Sequence, residues 1–309
     1  MGLRRIEDLL FRNTTRLLAI GVLSLLLAVI VALMIGAVPA LRAFGFGFLW
    51  SDAWNPVKHL FGALPAIFGT LVTSAIALLI AVPVGLGIAV FLTELCPPWL
   101  RRPVGVLVEL LAAIPSIIYG IWGLFVLAPV LQSTVQPFLV ATLGHVPGLS
   151  VLFSGTPLGL GVLTAGFILA VMVLPYIASV SRDVFVTVPA VLRESAYAMG
   201  ATTAEVVRQI VIPFTRVGIV GGVMLGLGRA LGETMAVTFV IGNSHHISAS
   251  LLAPGTTISA TLANEFTEAV GDLYTASLIE LGLILFVITF IVLAAAKLLL
   301  LRLEGQAAK

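Results

Sequence analysis

The sequence predicts an all-α polytopic membrane protein with six transmembrane helices. Of its 309 residues, 60% are hydrophobic and only 10% are charged, whereas a soluble domain carries about 25% charged residues. Six apolar runs are each long enough to cross about 30 Å of hydrocarbon as a helix of about 20 residues. Because only helices and closed barrels satisfy their backbone hydrogen bonds in lipid, we interpret these runs as helices.

The first apolar run follows four arginines and is itself uncharged. It is longer than the roughly 7–15 apolar residues of a signal peptide, and it lacks a convincing A-x-A cleavage site. We therefore expect it to remain as an uncleaved helix. The six predicted spans are Leu17–Val38, Ala63–Leu92, Leu110–Leu131, Pro157–Val180, Val217–Gly242 and Leu273–Ala296.

The positive charges predict which end of the bundle faces the cytosol. If both termini lie inside, 13 of the 16 Lys and Arg residues fall in cytosolic segments, two fall in outer loops and one lies within a span. This bias is the one expected from the positive-inside rule. All four histidines then lie outside. His245 and His246 are adjacent, which is not metal-ligand spacing, so both are expected to be solvated. The outer segment 133–156 is apolar, so a short additional membrane segment within it stays an open alternative.

The longest markedly polar interval lies between the fourth and fifth spans. Pro189 is expected to open a helix there, because its fixed φ suits a first helical turn. Gly200 is expected to end that helix in a left-handed conformation. Thr202 and Glu205 have the spacing of a capping box, which predicts a second short helix ending at Pro213.

The fifth span carries a glycine stripe followed by two charges. Gly218, Gly222 and Gly226 are spaced by four, which predicts a close approach by another helix. Arg229 and Glu233 are expected to continue this stripe and, at i and i+4, to reach one another. A charge at mid-bilayer costs roughly 2.5–3.5 kcal/mol, so it normally faces a polar interior or a partner.

Two interpretations of this charged pair stay open. In one, Arg229 and Glu233 form a buried structural ion pair that holds helices together. In the other, Arg229 lies beside the path of an anion, because a planar guanidinium donates two parallel hydrogen bonds to a tetrahedral oxyanion. Glu233 would orient Arg229 and accept a hydrogen bond from a protonated oxyanion such as hydrogen phosphate. For Glu109 and Glu280, structural and functional roles are equally open.

The sequence carries no motif for catalysis by this chain. It contains no G-x-x-x-x-G-K-[ST] phosphate loop, nucleophile elbow or zinc-helix motif. The segment 226–233 fails as G-x-G-x-x-G because Leu231 occupies the last glycine position. Cys96 is the only cysteine, which excludes an internal disulfide. We therefore expect no enzyme activity, metal site or bound cofactor in this chain.

The polar interval also matches the pattern of a known family. It resembles the EAA loop of importer-type ABC permeases, E-A-A-x3-G-x9-I-x-L-P, with Ser195 in place of Ala and Ile212 in place of Leu. The resemblance identifies this interval as a loop that couples a permease to an ATPase. The aligned coupling-loop residues are Glu194, Ser195, Ala196, Gly200, Ile210 and Pro213.

Two further segments, 109–129 and 225–243, are similar to the phosphate-specific permeases of these importers, and to the PstC type more than to its PstA partner. The resemblance implies the MetI-like fold of type I ABC importers. In that family the corresponding arginine and glutamate are implicated in phosphate passage, so it points to Arg229 and Glu233 as substrate-pathway residues. It also suggests a structural role for the Pro115-Ser116 turn.

The resemblance further implies a division of labour among subunits. This chain and a homologous PstA-type permease would form the phosphate pathway in the bacterial inner membrane, with both termini of this chain cytosolic. A periplasmic PstS-type protein would deliver phosphate. A dimer of PstB-type subunits would bind ATP and Mg and hydrolyse the ATP. No nucleic acid is expected as a partner, and a signalling role beside transport stays open.

We expect the chain to be organised in three parts. Residues 1–62 would hold the cytosolic N-terminal segment, the first transmembrane helix and the first periplasmic loop. Residues 63–302 would form a five-helix permease core that contains the cytosolic coupling loop 182–213. Residues 303–309 would be a cytosolic tail.

Other functions stay open on the sequence alone. One is a permease for another oxyanion, such as sulfate or molybdate, or one that pairs with a second copy of itself. Another is an ion-coupled secondary transporter with Arg229, Glu233 and Glu280 as a relay. A third is a membrane scaffold or sensor without transport. The ion-coupled transporter would leave the paired helices of the polar interval unexplained.

Overall fold

The computed structural model describes residues 2–307, and this part of the chain is almost entirely helical. Apart from an isolated bridge between Asn55 and Leu60, it contains no strand. The α-helices are α1 (Gly2–Phe44), α2 (Gly47–Trp50), α3 (Leu64–Val90), α4 (Pro98–Ala113), α5 (Ser116–Trp122), α6 (Ala128–Val130), α7 (Gln136–Leu143), α8 (Val162–Val186), α9 (Ala190–Ala198), α10 (Thr203–Val206), α11 (Ile212–Leu231), α12 (Met235–Thr238), α13 (Ile258–Glu265) and α14 (Asp272–Ala307). Short π-helical turns at Phe91–Leu95, Gly123–Leu127, Leu131–Val135 and Val207–Val211 extend or join them.

Six helical segments in the described residues are long and apolar enough to cross a membrane, which confirms the predicted number. α14 continues through most of the predicted tail, to Ala307, and residues 308 and 309 lie outside the described residues. The six segments are Leu10–Phe44, Leu64–Leu95, Ser116–Leu143, Val162–Val186, Thr203–Leu231 and Asp272–Arg302.

The fifth span differs from the prediction at both ends. Helical backbone begins at Thr203, continues through the π-helical turn Val207–Val211, and stops at Leu231 rather than Gly242. The prediction that Pro213 ends a helix is wrong, since Pro213 lies in the first turn of α11. Proline has no backbone N–H to donate to the preceding turn of a helix. The wider π-helical turn Val207–Val211 lies directly before Pro213.

The third span is broken near its start. Ile114 and Pro115 have extended backbone and separate α4 from α5, as expected of a residue that precedes proline. From Ser116 the helical backbone continues to Leu143. The apolar outer segment predicted at 133–156 therefore begins as an extension of the third span.

α8 lies at the centre of the bundle, between α3 and α11. Glycines on the neighbouring helices allow this close approach. A Cβ added at Gly226 of α11 would lie 2.7 Å from Val173, and one added at Gly218 would lie 2.5 Å from Val184. The predicted packing role of the glycine stripe is confirmed, and its partner is α8.

Gly69 of α3 makes an especially close backbone approach. A Cβ at this position would lie 1.8 Å from the carbonyl oxygen of Thr256. Beside it, the Thr70 hydroxyl accepts a hydrogen bond from the Ile258 N–H at 3.0 Å. These contacts attach α3 to the segment that begins α13.

Gly69→Ala should destabilise the fold by about 1–3 kcal/mol, because the added methyl group forces the backbone at Thr256 to move. Gly87→Ala is the matched control on the same helix, since nothing lies within 4 Å of its added Cβ. Thermal unfolding of the purified protein in detergent should show a lower midpoint for Gly69→Ala alone. Equal midpoints for the two variants would contradict the backbone contact.

Candidate functional site

Two helix breaks meet inside the bundle. α11 stops at Leu231 and α12 starts at Met235, while α5 follows the break at Pro115. Gly120 of α5 packs on α12, where an added Cβ would lie 3.1 Å from the Cα of Ala236. Irregular backbone at membrane depth is tolerated only where it is buried in protein or lines a water-filled cavity. In transporters, helices interrupted in this way form substrate and ion sites.

Arg229 and Glu233 flank the break after α11 and form an ion pair. Arg229 Nη2 lies 3.3 Å from Glu233 Oε2, as the i, i+4 spacing predicts. The Glu233 side chain is 3% exposed, whereas that of Arg229 is 42% exposed. Glu233 Oε1 also accepts a hydrogen bond from the Ala236 N–H at 3.4 Å. A buried carboxylate, held at the break, therefore orients a guanidinium that lies at the surface of the chain.

The sequence predicted that both charges continue the glycine stripe, but Arg229 does not lie on its buried face, whereas Glu233 is buried. Gly226 and Ala230 are buried on the side of α11 that faces inward. Positions 226 and 229 lie about 60° apart around a helix of 3.6 residues per turn, and Arg229 is exposed. The guanidinium is therefore available to a partner chain or to a water-filled path, since lipid is an unfavourable environment for it.

The polar interval forms the predicted arrangement of a short helix, a glycine corner and the start of a second helix. Pro189 is the N-cap of α9. Gly200 has a φ of 87°, in the left-handed region that favours glycine. Thr202 and Glu205 form the predicted capping box at the start of α10.

The residues of the EAA-like pattern divide between the surface and the core. Glu194, Ser195 and Pro213 are exposed. Ala196 is buried, and Ile210 packs against the same apolar cluster, which also contains Phe185 of α8 and Val206 of α10. The pattern therefore fixes one side of α9 to the bundle and leaves its other side free within the described chain.

Arg193 anchors α9 to the bundle, a role that the sequence analysis missed. Its Nη2 donates to the carbonyl oxygen of Phe185 at 2.6 Å and lies 3.1 Å from Glu94 Oε1. Glu94 Oε1 has no hydrogen-bond partner among the described residues, so its contact with Arg193 is an ion pair without a hydrogen bond. A carboxylate directly after the apolar run of the second span was the signal that could have revealed it.

One continuous helical element connects the polar interval to Arg229. Helical backbone runs without interruption from Thr203 to Leu231, so Arg229 lies two residues before its end. Pro213 lies within this element rather than at its end. A displacement at α9 and α10 can reach Arg229 by rigid-body motion of this element.

At the opposite end of the bundle, Glu265 joins three segments. Its carboxylate accepts hydrogen bonds from Trp54 Nε1 at 2.8 Å and from the Tyr274 hydroxyl at 2.6 Å, and it lies 2.7 Å from His245 Nε2. The rings of Trp54 and His245 stack with centroids 4.9 Å apart. The prediction that His245 is solvated is therefore wrong, because these groups cover it, whereas His246 is exposed.

The ionised form of Glu265 is favoured by its hydrogen bonds. Burial of the carboxylate opposes ionisation, but the hydrogen bonds from His245, Tyr274 and Trp54, together with the charge of His245, outweigh it. The pKa of Glu265 is lowered from its ordinary value of 4.5.

The other two singled-out carboxylates differ in their surroundings. Glu109 Oε1 lies 2.8 Å from Arg182 Nη2, so it has a partner on α8. Glu280 is buried, and its Oε2 has no hydrogen-bond partner in the described residues. Within the same part of the chain, no ion pair or hydrogen bond connects Glu280 to Arg229 or Glu233.

Sequence comparisons agree on one family. Residues 81–305 match the model of the binding-protein-dependent transport system inner membrane components. The chain is 65% identical over 301 residues to the phosphate transport system permease protein PstC of Mesorhizobium japonicum, covering 97% of this chain and 92% of that protein. It is 57% identical to PstC of Pasteurella multocida, with 97% and 94% covered. It is 38% identical to a probable PstC of Methanocaldococcus jannaschii, with 94% and 92% covered.

Solved structures with lower identity show the same fold. An inward-facing MetNI methionine ABC transporter has a chain that matches with a TM-score of 0.57 and 19% identity, covering 81% of this chain and 99% of that chain. A bacterial alginate ABC transporter, bound to a periplasmic protein that carries an alginate pentasaccharide, matches with a TM-score of 0.55 and 19% identity, covering 85% of each chain. The predicted MetI-like permease fold is confirmed.

Glu265→Gln should lower the thermal stability of the protein at neutral pH. It should also remove part of the dependence of that stability on pH. Because the pKa of Glu265 is lowered in the folded protein, the carboxylate stabilises the fold above about pH 4.5 and loses this contribution as the pH falls through the folded pKa. The difference in thermal midpoint between wild type and variant should therefore shrink below about pH 4.5. Exposed Glu268→Gln is the control and should have little effect; a difference for Glu265→Gln that grows at acidic pH would contradict this account.

Proposed function

The chain belongs to the PstC family of phosphate transport system permease proteins, within the binding-protein-dependent transport system inner membrane components, and we propose that it is the permease subunit of an ATP-driven phosphate importer. One observation carries the residue-level part of this proposal. Arg229 is 42% exposed although it lies in a segment long and apolar enough to cross a membrane.

Arg229 has the chemistry needed to guide a phosphate ion. A planar guanidinium can donate two parallel hydrogen bonds to a tetrahedral oxyanion. Glu233 holds one edge of the group at 3.3 Å, which limits its rotation and leaves its other donors available. In a site with a low dielectric constant, a single positive charge attracts an anion far more strongly than in water.

A second permease completes the pathway in this proposal. The exposed guanidinium of Arg229 needs a polar neighbour within the membrane, and a homologous PstA-type permease would supply the opposing wall. Phosphate would then cross between the two chains. The breaks at Pro115 and at Gly232 would line this route, because irregular backbone at membrane depth requires a polar or protein environment.

α9 is the part of the chain that we assign to the ATPase. Its exposed side combines Glu194 with the apolar side chains of Val191 and Met199. Such a surface fits a cleft in a partner better than it fits water. ATP and Mg would bind to the partner, a dimer of PstB-type subunits, and closure of that dimer would move α9 and, through α11, Arg229.

The positive charges assign the two ends of the bundle in this proposal. The end that carries α9, here called the basic end, would face the cytosol together with both termini. The end that carries Glu265 would face the periplasm. A PstS-type phosphate-binding protein would dock there and release its phosphate toward Arg229.

The alternative functions are less favoured. The relatives at 38–65% identity carry the phosphate name, so a sulfate or molybdate permease has no comparable support. An ion-coupled relay through Glu280 lacks a described hydrogen bond or ion pair to Arg229 or Glu233. It also provides no role for the exposed side of α9.

Arg229→Gln should lower phosphate uptake by about 10- to 100-fold, because a hydrogen bond to a charged group contributes about 1.5–3 kcal/mol. Arg229→Lys should lose less, since it keeps the charge but not the planar fork. Uptake of labelled phosphate by the reconstituted complex measures this, with Arg42→Gln as a control outside the site. Normal uptake by Arg229→Gln, with intact assembly, would remove Arg229 from the pathway.

Substitutions in α9 and its glycine corner should act on coupling rather than on phosphate recognition. Gly200→Val strains a backbone with a φ of 87°, and Glu194→Ala removes a charge from the exposed side of α9. Both should reduce the amount of ATPase subunit that co-purifies with the chain, as well as phosphate uptake. Glu268→Gln, at the other end, should change neither. Full recovery of the ATPase with both α9 variants would show that the ATPase binds elsewhere.

A further inference from the structure

A cavity of about 450 Å³ opens at the basic end of the bundle. It lies between the π-helical turn Phe91–Leu95, α4, the end of α8 and α9. Its lining is rich in arginine and contains a single carboxylate, Glu109, among the described residues. The four arginines are Arg101, Arg102, Arg182 and Arg193.

Two of these guanidinium groups are already neutralised. Arg182 Nη2 lies 2.8 Å from Glu109 Oε1 and 2.9 Å from Asp183 Oδ1. Arg193 Nη2 lies 3.1 Å from Glu94 Oε1. These two arginines shape the cavity and connect its walls, but their charges are balanced by their carboxylate partners.

The other two arginines have no carboxylate partner among the described residues. Arg101 Nη2 donates to the carbonyl oxygens of Thr93 at 3.1 Å and Cys96 at 3.4 Å. In the described residues, no carboxylate oxygen lies within 4.0 Å of a nitrogen of Arg101 or Arg102. Two adjacent uncompensated charges on one wall of a cavity attract an anion.

The surroundings of these arginines resemble a membrane–water interface. Trp99, which precedes them on α4, is 77% exposed, and Leu107 and Leu110 are also exposed. Tryptophan is enriched at the level of lipid headgroups. Basic pockets between membrane helices on the cytoplasmic side bind the headgroups of anionic lipids.

We propose that this cavity binds the phosphate group of an anionic phospholipid, with Arg101 and Arg102 as its principal contacts. The acyl chains would extend along the exposed apolar side chains of α4. Since Arg193 of α9 lines the same cavity, the bound headgroup would lie between the bundle and the helix assigned to the ATPase. The binding site goes beyond the proposed transport function and does not depend on which anion is transported.

Native mass spectrometry of the purified full-length chain tests the proposal. Wild-type protein should bind phosphatidylglycerol in preference to phosphatidylcholine. R101Q/R102Q should weaken phosphatidylglycerol binding about thirtyfold, because each of the two basic residues near a membrane surface contributes about 1 kcal/mol. R101K/R102K keeps both charges and should retain most of the binding. R12Q/R16Q removes two charges from α1 and should leave binding unchanged.

Several outcomes would overturn the proposal. One is equal binding of the two lipids by the wild type, and another is an equal loss in R12Q/R16Q. Binding of inorganic phosphate that depends on Arg101 and Arg102, without phosphatidylglycerol binding, would assign the cavity to free phosphate. Loss of the ATPase from R101Q/R102Q with normal lipid binding would assign it to a protein partner. Unchanged thermal midpoints verify that the variants are folded.

Discussion

The close approach of α3 and α11 to α8 determines where Arg229 and the helix α9 lie. Between helices in lipid there is no hydrophobic driving force of the kind found in water, so short-range packing holds them together. Gly226 meets Val173 near one end of α11, and Gly218 meets Val184 nearer the other. α11 is thereby fixed along its length. Arg229 near one end and the short helices α9 and α10 at the other consequently have a defined separation.

At the break after α11, one residue both supports the backbone and orients a charge. Ending a helix inside the membrane leaves backbone groups without partners, which is unfavourable in a medium that offers no water. Glu233 accepts a hydrogen bond from the start of α12 and pairs with Arg229. The same carboxylate therefore supports the irregular backbone and orients the charge. The structural and the functional interpretations of the pair are compatible with each other.

The attachment of α9 to the bundle explains how a surface helix can transmit motion. Ala196 packs into an apolar cluster with Phe185, while Arg193 reaches the end of α8 and Glu94. α9 is thus held by packing on one side and by charge on another. Under the proposed function, a force on its exposed side would be transmitted to α8 and to the helix that begins at Thr203 through these contacts.

The features that depend on local chemistry could be predicted from the amino-acid sequence alone. Apolar runs, the Pro189 start, the Gly200 corner and the Thr202 capping box all appeared as predicted, because they depend on backbone preferences and short-range hydrogen bonds. Three features could be seen only in the folded bundle: the helix end at Leu231, the separation of Arg229 from the glycine stripe, and the enclosure of His245.

The two groups of features differ in the distance along the chain over which the deciding interactions act. A cap or a glycine corner is settled by neighbours within a few residues. Whether α11 stops at Leu231, and which side of it faces α8, depends on packing against helices distant in sequence. His245 is covered by Trp54 and Glu265, which lie far from it in the chain and meet it only in the folded bundle.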